Sequence, residues 1–329
     1  MFVRPAPLIV ALVALGALTA FVVVSCGGDS GGKPSSPASA TATPASPPPG
    51  PTSPPQATPT AAPFPLTVTS SDGSTVVLER APERIVAFDS AAVEILFAIG
   101  HGHRVAGTHS FVEYPPEVRD VPKVGDAFNV NFEAIAALKP DLVYIFFDRF
   151  VPDLQKLGVP VVYLETPATF AEVASQMRLW GRIVGAPEAG DAIARRFEDV
   201  RADFAGRVAD VATAPGVYVD ISPMLWTLGS GSLTSEMLDL LRAKNVFSDV
   251  DGARQVSGEE IVARAPAVIV STYPGGTDQF KTDPVFATVP AVANRRLCEI
   301  DGSLVSAPGP RLVEGIGEMA RCVYPDRFR

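Results

Sequence analysis

Cysteine is nearly missing from this sequence: 329 residues hold three, at positions 26, 298 and 322. None forms a C-x-x-C pair, so the usual zinc spacing is absent. Histidine is as scarce, and His101, His103 and His109 crowd into nine residues of one another. No basic run occurs and the formal charge is −9, which argues against nucleic acid or an anionic membrane surface as partner. Catalytic signatures are missing too. There is no G-x-S-x-G, no H-E-x-x-H, and no glycine fingerprint opening a helix after a strand. "GSGS" at Gly229 is too short to count, so no nucleophile–base pair is visible and no enzyme is expected.

What is present begins with an address. Residues 5–25 are almost wholly apolar after Arg4 and end in small residues, the pattern of an export signal (1–25). Val23-Val24-Ser25-Cys26 resembles the lipobox of bacterial lipoproteins, which implies lipidation of Cys26 and anchoring to the outer face of the membrane. The alternative is an uncleaved anchor, because the run approaches the ~20 residues of a bilayer span. Positions 26–63 are rich in Pro, Ser, Ala, Thr and Gly, which cannot bury enough surface to offset ordering entropy, so a disordered tether is expected. Extended at ~3.1 Å per residue, it would reach about 100 Å. "GGDSGGKP" inside it imitates a phosphate loop, but Pro34 replaces the Ser or Thr and neither strand nor helix flanks it.

The remaining stretch, 64–329, is long enough for two lobes around separate cores. "LTVTSSDGSTVVLE" reads as a hairpin about Asp72-Gly73. Apolar strands ("RIVAF", "RVAG", "DLVYIFF", "VPVVYL") then alternate with helical spacing, which implies a parallel sheet covered on both faces. This is a first α/β lobe, 64–168. Positions 169–211 carry no strand signal and read as amphipathic helix, a stiff connector whose second segment would span about 35 Å. Alternation resumes over 212–329 with "GVYVDI", "LTSEMLDLLRAK", "AVIVS", "RLCEI" and a last helix near "PRLVEGIGEMARCVYP". Cys298 and Cys322 fall on the last strand and last helix; they can pair in an oxidising compartment or stay as two buried thiols.

One short pattern is written twice. "NFEAIAALKPDLVYI" from Asn131 and "SGEEIVARAPAVIVS" from Ser257 share Glu, Ile, Ala, Pro and an aliphatic residue at the same intervals. In each, a capping residue precedes a short helix, a Glu sits in its first turn, and a Pro ends it before a buried strand. Ser257 with Glu260 also fits a capping box. A single such Glu needs no role beyond helping its helix by ~0.3–1 kcal/mol through the dipole. Two, Glu133 and Glu259, at matched places 126 positions apart, point to a shared task.

"RIVAFDSAAVEILFAIGHGHRVAG", "YPPEVRDVPKVGDAFNVNFEAIAALKPDLV", "QVSGEEIVARAPAVIV" and "GPRL" at 309–312, in this order, resemble the periplasmic binding proteins of iron-complex and vitamin B12 importers. The resemblance implies two Rossmann-like α/β lobes with parallel sheets joined by a single long α-helix, the class III form of such proteins. It implies a non-catalytic monomer without cofactor, whose cargo is a metal chelate (ferric siderophore, haem or cobalamin). Its partner would be an ABC permease, docked through Glu133 and Glu259.

A ligand would lie between the lobes, where strand-end loops face each other. Loop aromatics and arginines are the candidates: Phe111, Phe128, Phe146, Phe147 and Arg149 on the first lobe, and Trp226, Arg254 and Tyr273 on the second. Phe111, Phe146 and Trp226 fall where the B12-binding relatives carry aromatics, whereas Ala127 and Ala253 replace their tryptophans. Because Phe146 and Phe147 are consecutive, strand alternation would let only one face the ligand. A bare zinc or manganese site is the competing expectation raised by the three histidines, but all lie on one lobe and an interlobe site needs ligands from both. An exported two-lobed enzyme is the remaining alternative.

Overall fold

The computed structural model describes residues 64–126 and 128–328. The export signal, Cys26, the tether and Ala127 lie outside the described residues. The chain opens with a hairpin, β1 (Leu66–Thr69) and β2 (Thr75–Leu78), paired antiparallel. Its turn is closed by Asp72, whose Oδ1 accepts from Ser74 N–H at 2.9 Å, and Gly73 takes φ 82° there.

The first lobe follows as β3 (Ile85–Ala87), α1 (Ser90–Ala98), β4 (Val105–Thr108), α2 (Phe132–Ala137), β5 (Leu142–Ile145), α3 (Val151–Gln155) and β6 (Val161–Tyr163). Its four strands are all parallel, in the order β4-β3-β5-β6. Two longer helices come next, α4 (Phe170–Ile183) and α5 (Pro187–Arg207). Thr169 and Glu172 close a capping box on α4, and Pro187 opens α5 at the position where its missing N–H is harmless.

The second lobe holds β7 (Gly216–Asp220), β8 (Trp226–Leu228), α6 (Leu233–Leu240), β9 (Lys244–Asn245), β10 (Ala253–Gln255), α7 (Gly258–Arg264) and β11 (Val268–Ser271). It ends with α8 (Asp278–Thr282), α9 (Pro290–Ala293), β12 (Leu297–Glu299), α10 (Ser303–Ser306) and α11 (Leu312–Val323). Its parallel sheet runs β12-β11-β7-β9, while β8 and β10 form a separate antiparallel ribbon. Counted along the chain, the strands of both sheets stand in one order: second, first, third, fourth. The lobes are two uses of one topology, and β5 and β11 hold the same place in it.

The expected separation of cores does not hold. The largest apolar cluster joins lobe-one residues such as Ile95, Leu142 and Tyr144 to Met177 and Trp180 of α4. It continues into Met237 of α6 and Leu312 and Ile316 of α11. Trp180 is fully buried, edge-on to Tyr144 with centroids 5.1 Å apart. Helix α4 is therefore packed into the first lobe, and α5, about 31 Å long at 1.5 Å per residue, runs between the lobes. The two helices cross at Gly181 and Gly190, where a Cβ on Gly181 would stand 2.8 Å from the Gly190 Cα. Cys298 of β12 and Cys322 of α11 are joined as a disulfide, with Cα atoms 5.8 Å apart.

Candidate functional site: a cleft between matched lobes

In a parallel α/β sheet the loops beyond the strand carboxyl ends form the binding crevice. Here those loops meet. A cavity of ≈ 310 Å³ is lined by Ser90 at the start of α1, by Phe111 and Tyr114 from the loop after β4, and by Ser303, Ser306 and Arg311 from the segment after β12. A larger one, ≈ 920 Å³, opens on the second lobe among Ile221, Leu228, Tyr273, Glu299, Asp301 and Ser303.

The sequence candidates fall into three groups. Phe111 is 66% exposed and lines the cavity shared by the lobes. Its backbone is set by His109, a buried ring whose Nδ1 accepts from Phe111 N–H at 3.1 Å. Phe128, Phe147 and Arg149 form a second group. Phe128 is 74% exposed on a turn held by Asp126, and the Arg149 guanidinium lies 5.8 Å from its ring and 5.4 Å from that of Phe147. Phe146 sits against Phe147, ring centroids 3.9 Å apart. The expected in–out alternation of these two rings is corrected here, because β5 ends at Ile145 and both lie in the turn beyond it.

The third group is on the second lobe. Tyr273 lines the larger cavity and donates its hydroxyl to Asp220 Oδ2 at 2.5 Å, while Gln279 Nε2 donates to the Tyr273 oxygen at 2.8 Å. The phenol's proton is spent, so Tyr273 offers its ring to the cleft. Trp226 is half-buried on the β8–β10 ribbon opposite Gln255. Arg254, next to it, is ion-paired with Glu260 of α7 at 2.6 Å. That pairing ties the ribbon to α7, and Arg254 lines neither cavity.

Four residues that the sequence reading did not single out complete the site. Tyr114 lines the shared cavity beneath Arg311, whose guanidinium carbon is 3.6 Å from the ring centroid. Arg311 also pairs with Glu94 of α1, Nη2 to Oε1 2.7 Å, joining the lobes. Burial raises the Glu94 carboxyl and the hydrogen bond from Arg311 opposes it. Asp220 is fully buried at the end of β7; burial pushes it up to about 6 against the hydrogen bonds from Tyr273 and Tyr218. Arg311 could have been suspected from its place in "GPRL"; Asp220 ends an apolar run and carries no signal of its own.

Burial and the Lys123 ammonium hold His109 down to about 4. His101 and His103 precede β4, at the opposite end of the sheet from the cleft. Among the described residues no three His, Cys, Asp or Glu side chains gather as a metal site.

Glu133 and Glu259 are both exposed, each the second residue of its helix. Asn131 caps α2 by accepting from Ala134 N–H, and Ser257 caps α7 by accepting from Glu260 N–H. A helix that leads into a parallel strand runs back along the sheet, so both first turns lie at the strand carboxyl ends, the cleft end of each lobe. The 126-residue offset persists unbroken through β5 and β11 and on to Phe147 and Tyr273.

Two topologically identical lobes, a shared cavity between their strand ends and a helix bridging them define a two-lobed ligand-binding protein. The chain belongs to the periplasmic binding protein family, whose model matches residues 85–304. It is 30% identical to an uncharacterized ABC transporter substrate-binding lipoprotein, YvrC, of Bacillus subtilis, over 81% of this chain and 88% of that one. It is 27% identical to a vitamin B12-binding protein of Pectobacterium atrosepticum, over 70% of this chain and 85% of that one. Among solved structures, a possible iron-binding (periplasmic solute-binding) protein from Staphylococcus epidermidis superposes with a TM-score of 0.67. That pair is 27% identical, covering 74% of this chain and 100% of the other.

Proposed function

We propose that this chain is the extracytoplasmic substrate-binding lipoprotein of an ABC importer. It captures a metal chelate (a ferric siderophore, haem or cobalamin) between its lobes and delivers it, unaltered, to the permease. The observation that carries this reading is the pair Glu133 and Glu259: exposed, each in the first turn of a side-chain-capped helix, and set at the cleft end of equivalent units. Arginines on a permease would fix the orientation of such a pair by charge-assisted contacts. The chelate half rests on Phe111 and Tyr273, whose aromatic surfaces line the two cavities and suit a large flat or amphipathic cargo, with Trp226 on the neighbouring ribbon. Relatives described as B12-binding agree with it. Cys26 would carry the lipid and 26–63 the tether, with the lobes over 64–168 and 212–329 and the helical connector between.

The test pairs two measurements on Glu133→Ala/Glu259→Ala. Cellular uptake of the cargo should be lost, while the affinity of the purified variant for the same cargo stays within about twofold of the parent. Undiminished uptake would end the docking role. Recovery of a chemically changed cargo after incubation would end the non-catalytic one.

A further inference from the structure

Resting on the reading that the cleft holds a metal chelate, we infer that its second-lobe wall selects neutral or cationic chelates with hydrogen-bond donors at their edge, and rejects anionic ones. The ≈ 920 Å³ cavity is lined by two carboxylates, Glu299 and Asp301, and by no lysine or arginine. Its other polar side chains, such as Thr272, Tyr273 and Ser303, are neutral. Glu299 stays ionised: the Thr277 hydroxyl and the Thr277 and Gly275 N–H groups donate to it and hold its carboxyl below the usual range. A third carboxylate, Asp220, stands directly behind Tyr273.

The shared cavity continues the same sign. It adds Glu94 and Glu113, and its one cation, Arg311, already faces Glu94. At the rim, Arg254 is paired with Glu260, and Arg149 lies over the phenylalanines of the first lobe and lines neither cavity.

An independent observation points to donors on the cargo. Glu94 lines the shared cavity, is only 4% exposed, and no donor among the described residues meets its Oε2 at good hydrogen-bond geometry, the nearest help being the Arg311 backbone N–H. A buried acceptor left open in this way is satisfied by an incoming N–H or O–H, and a second anion beside it is penalised. Peripheral carboxamides or a protonated amine meet both demands. Carboxylates and catecholates meet neither.

The full-length chain, purified in mild detergent, is titrated at neutral pH and low salt with four probes. Cyanocobalamin is neutral, ferrioxamine B is cationic, and haemin and ferric enterobactin are anionic. The two siderophores share the metal and differ in charge. The expected result is that a neutral or cationic probe binds at least about tenfold tighter than either anion, with the gap shrinking at high salt. Asp301→Lys, an exposed site, should strengthen anion binding about tenfold, with circular dichroism confirming the fold. An anionic probe that binds as tightly as the best neutral or cationic one, or an Asp301→Lys variant whose affinity for the anions is unchanged, overturns the charge selection and leaves the chelate reading standing. Failure of all four probes sinks that reading and this inference with it.

Discussion

Arg311 and Glu94, 217 positions apart in the chain, meet across the lobes through a side-chain hydrogen bond of 2.7 Å, and the guanidinium rests on Tyr114. The carboxylate is almost wholly buried and the arginine largely so. Removing one member leaves the other largely buried beside the cavity without its ion partner, a loss of about 3 kcal/mol, the low end for breaking a buried pair. Arg311→Met should therefore lower the urea midpoint sharply, and Glu94→Leu combined with Arg311→Met should recover most of the loss. A single variant as stable as the parent would show that the pair does not hold the lobes.

The second expectation concerns pH. Burial raises the Asp220 carboxyl from its ordinary 3.8 to about 6. Between those values the folded protein keeps a proton that the unfolded chain releases. The contribution is thus complete below about pH 4 and is lost as pH rises through 6. Burial also raises Asp89 and Glu94, in the same direction. His109, held down to about 4, acts in the opposite direction over the same window, so the sign is read from the difference: the urea midpoint of Asp220→Asn should gain on that of the parent as pH rises from about 4 to 6. Parallel curves for the two would remove Asp220 from the account.

The Cys298–Cys322 bridge closes a segment of 24 residues between β12 and α11. Its loss, by Cys298→Ser with Cys322→Ser, should cost about 3 kcal/mol, chiefly by freeing the unfolded chain. Thermal unfolding of the parent with and without reductant, set beside the double variant, checks this; coincident curves would contradict it.

A spectroscopic expectation separates the two tryptophans. Trp180 is sealed in the core and Trp226 lies on the β8–β10 ribbon. A chelate absorbing near 350 nm should quench the emission of Trp226 on binding, and Trp226→Phe should remove most of the ligand-dependent change. Quenching that survives the substitution would place the cargo elsewhere.

Local rules made much of this legible. The capped helices α2 and α7 were readable because Asn131, Ser257 and the prolines that follow act over a few residues, and the parallel lobes because their strands are apolar throughout. Phe146 and Phe147 were misread because nothing in "YIFFD" marks where the strand stops; the turn into Asp148 decides it. The pairing of Glu94 with Arg311 depends on the docking of two distant segments, and no periodicity reports that. Asp220 was hidden for a related reason. Its carboxylate is tolerated in an apolar strand only because Tyr218, Tyr273 and Gln279 converge on it.

The crossing of α4 and α5 at two glycines, with apolar side chains running unbroken from one half of the molecule to the other, has a mechanical corollary. Prising the halves apart would wet that seam, so the mouth is expected to keep nearly one width whether empty or full, which scattering curves with and without cargo would check. Such a jaw grades its guests by outline and edge chemistry, and a new cargo would be acquired by exchanging side chains at the lip while the backbone stays where it is.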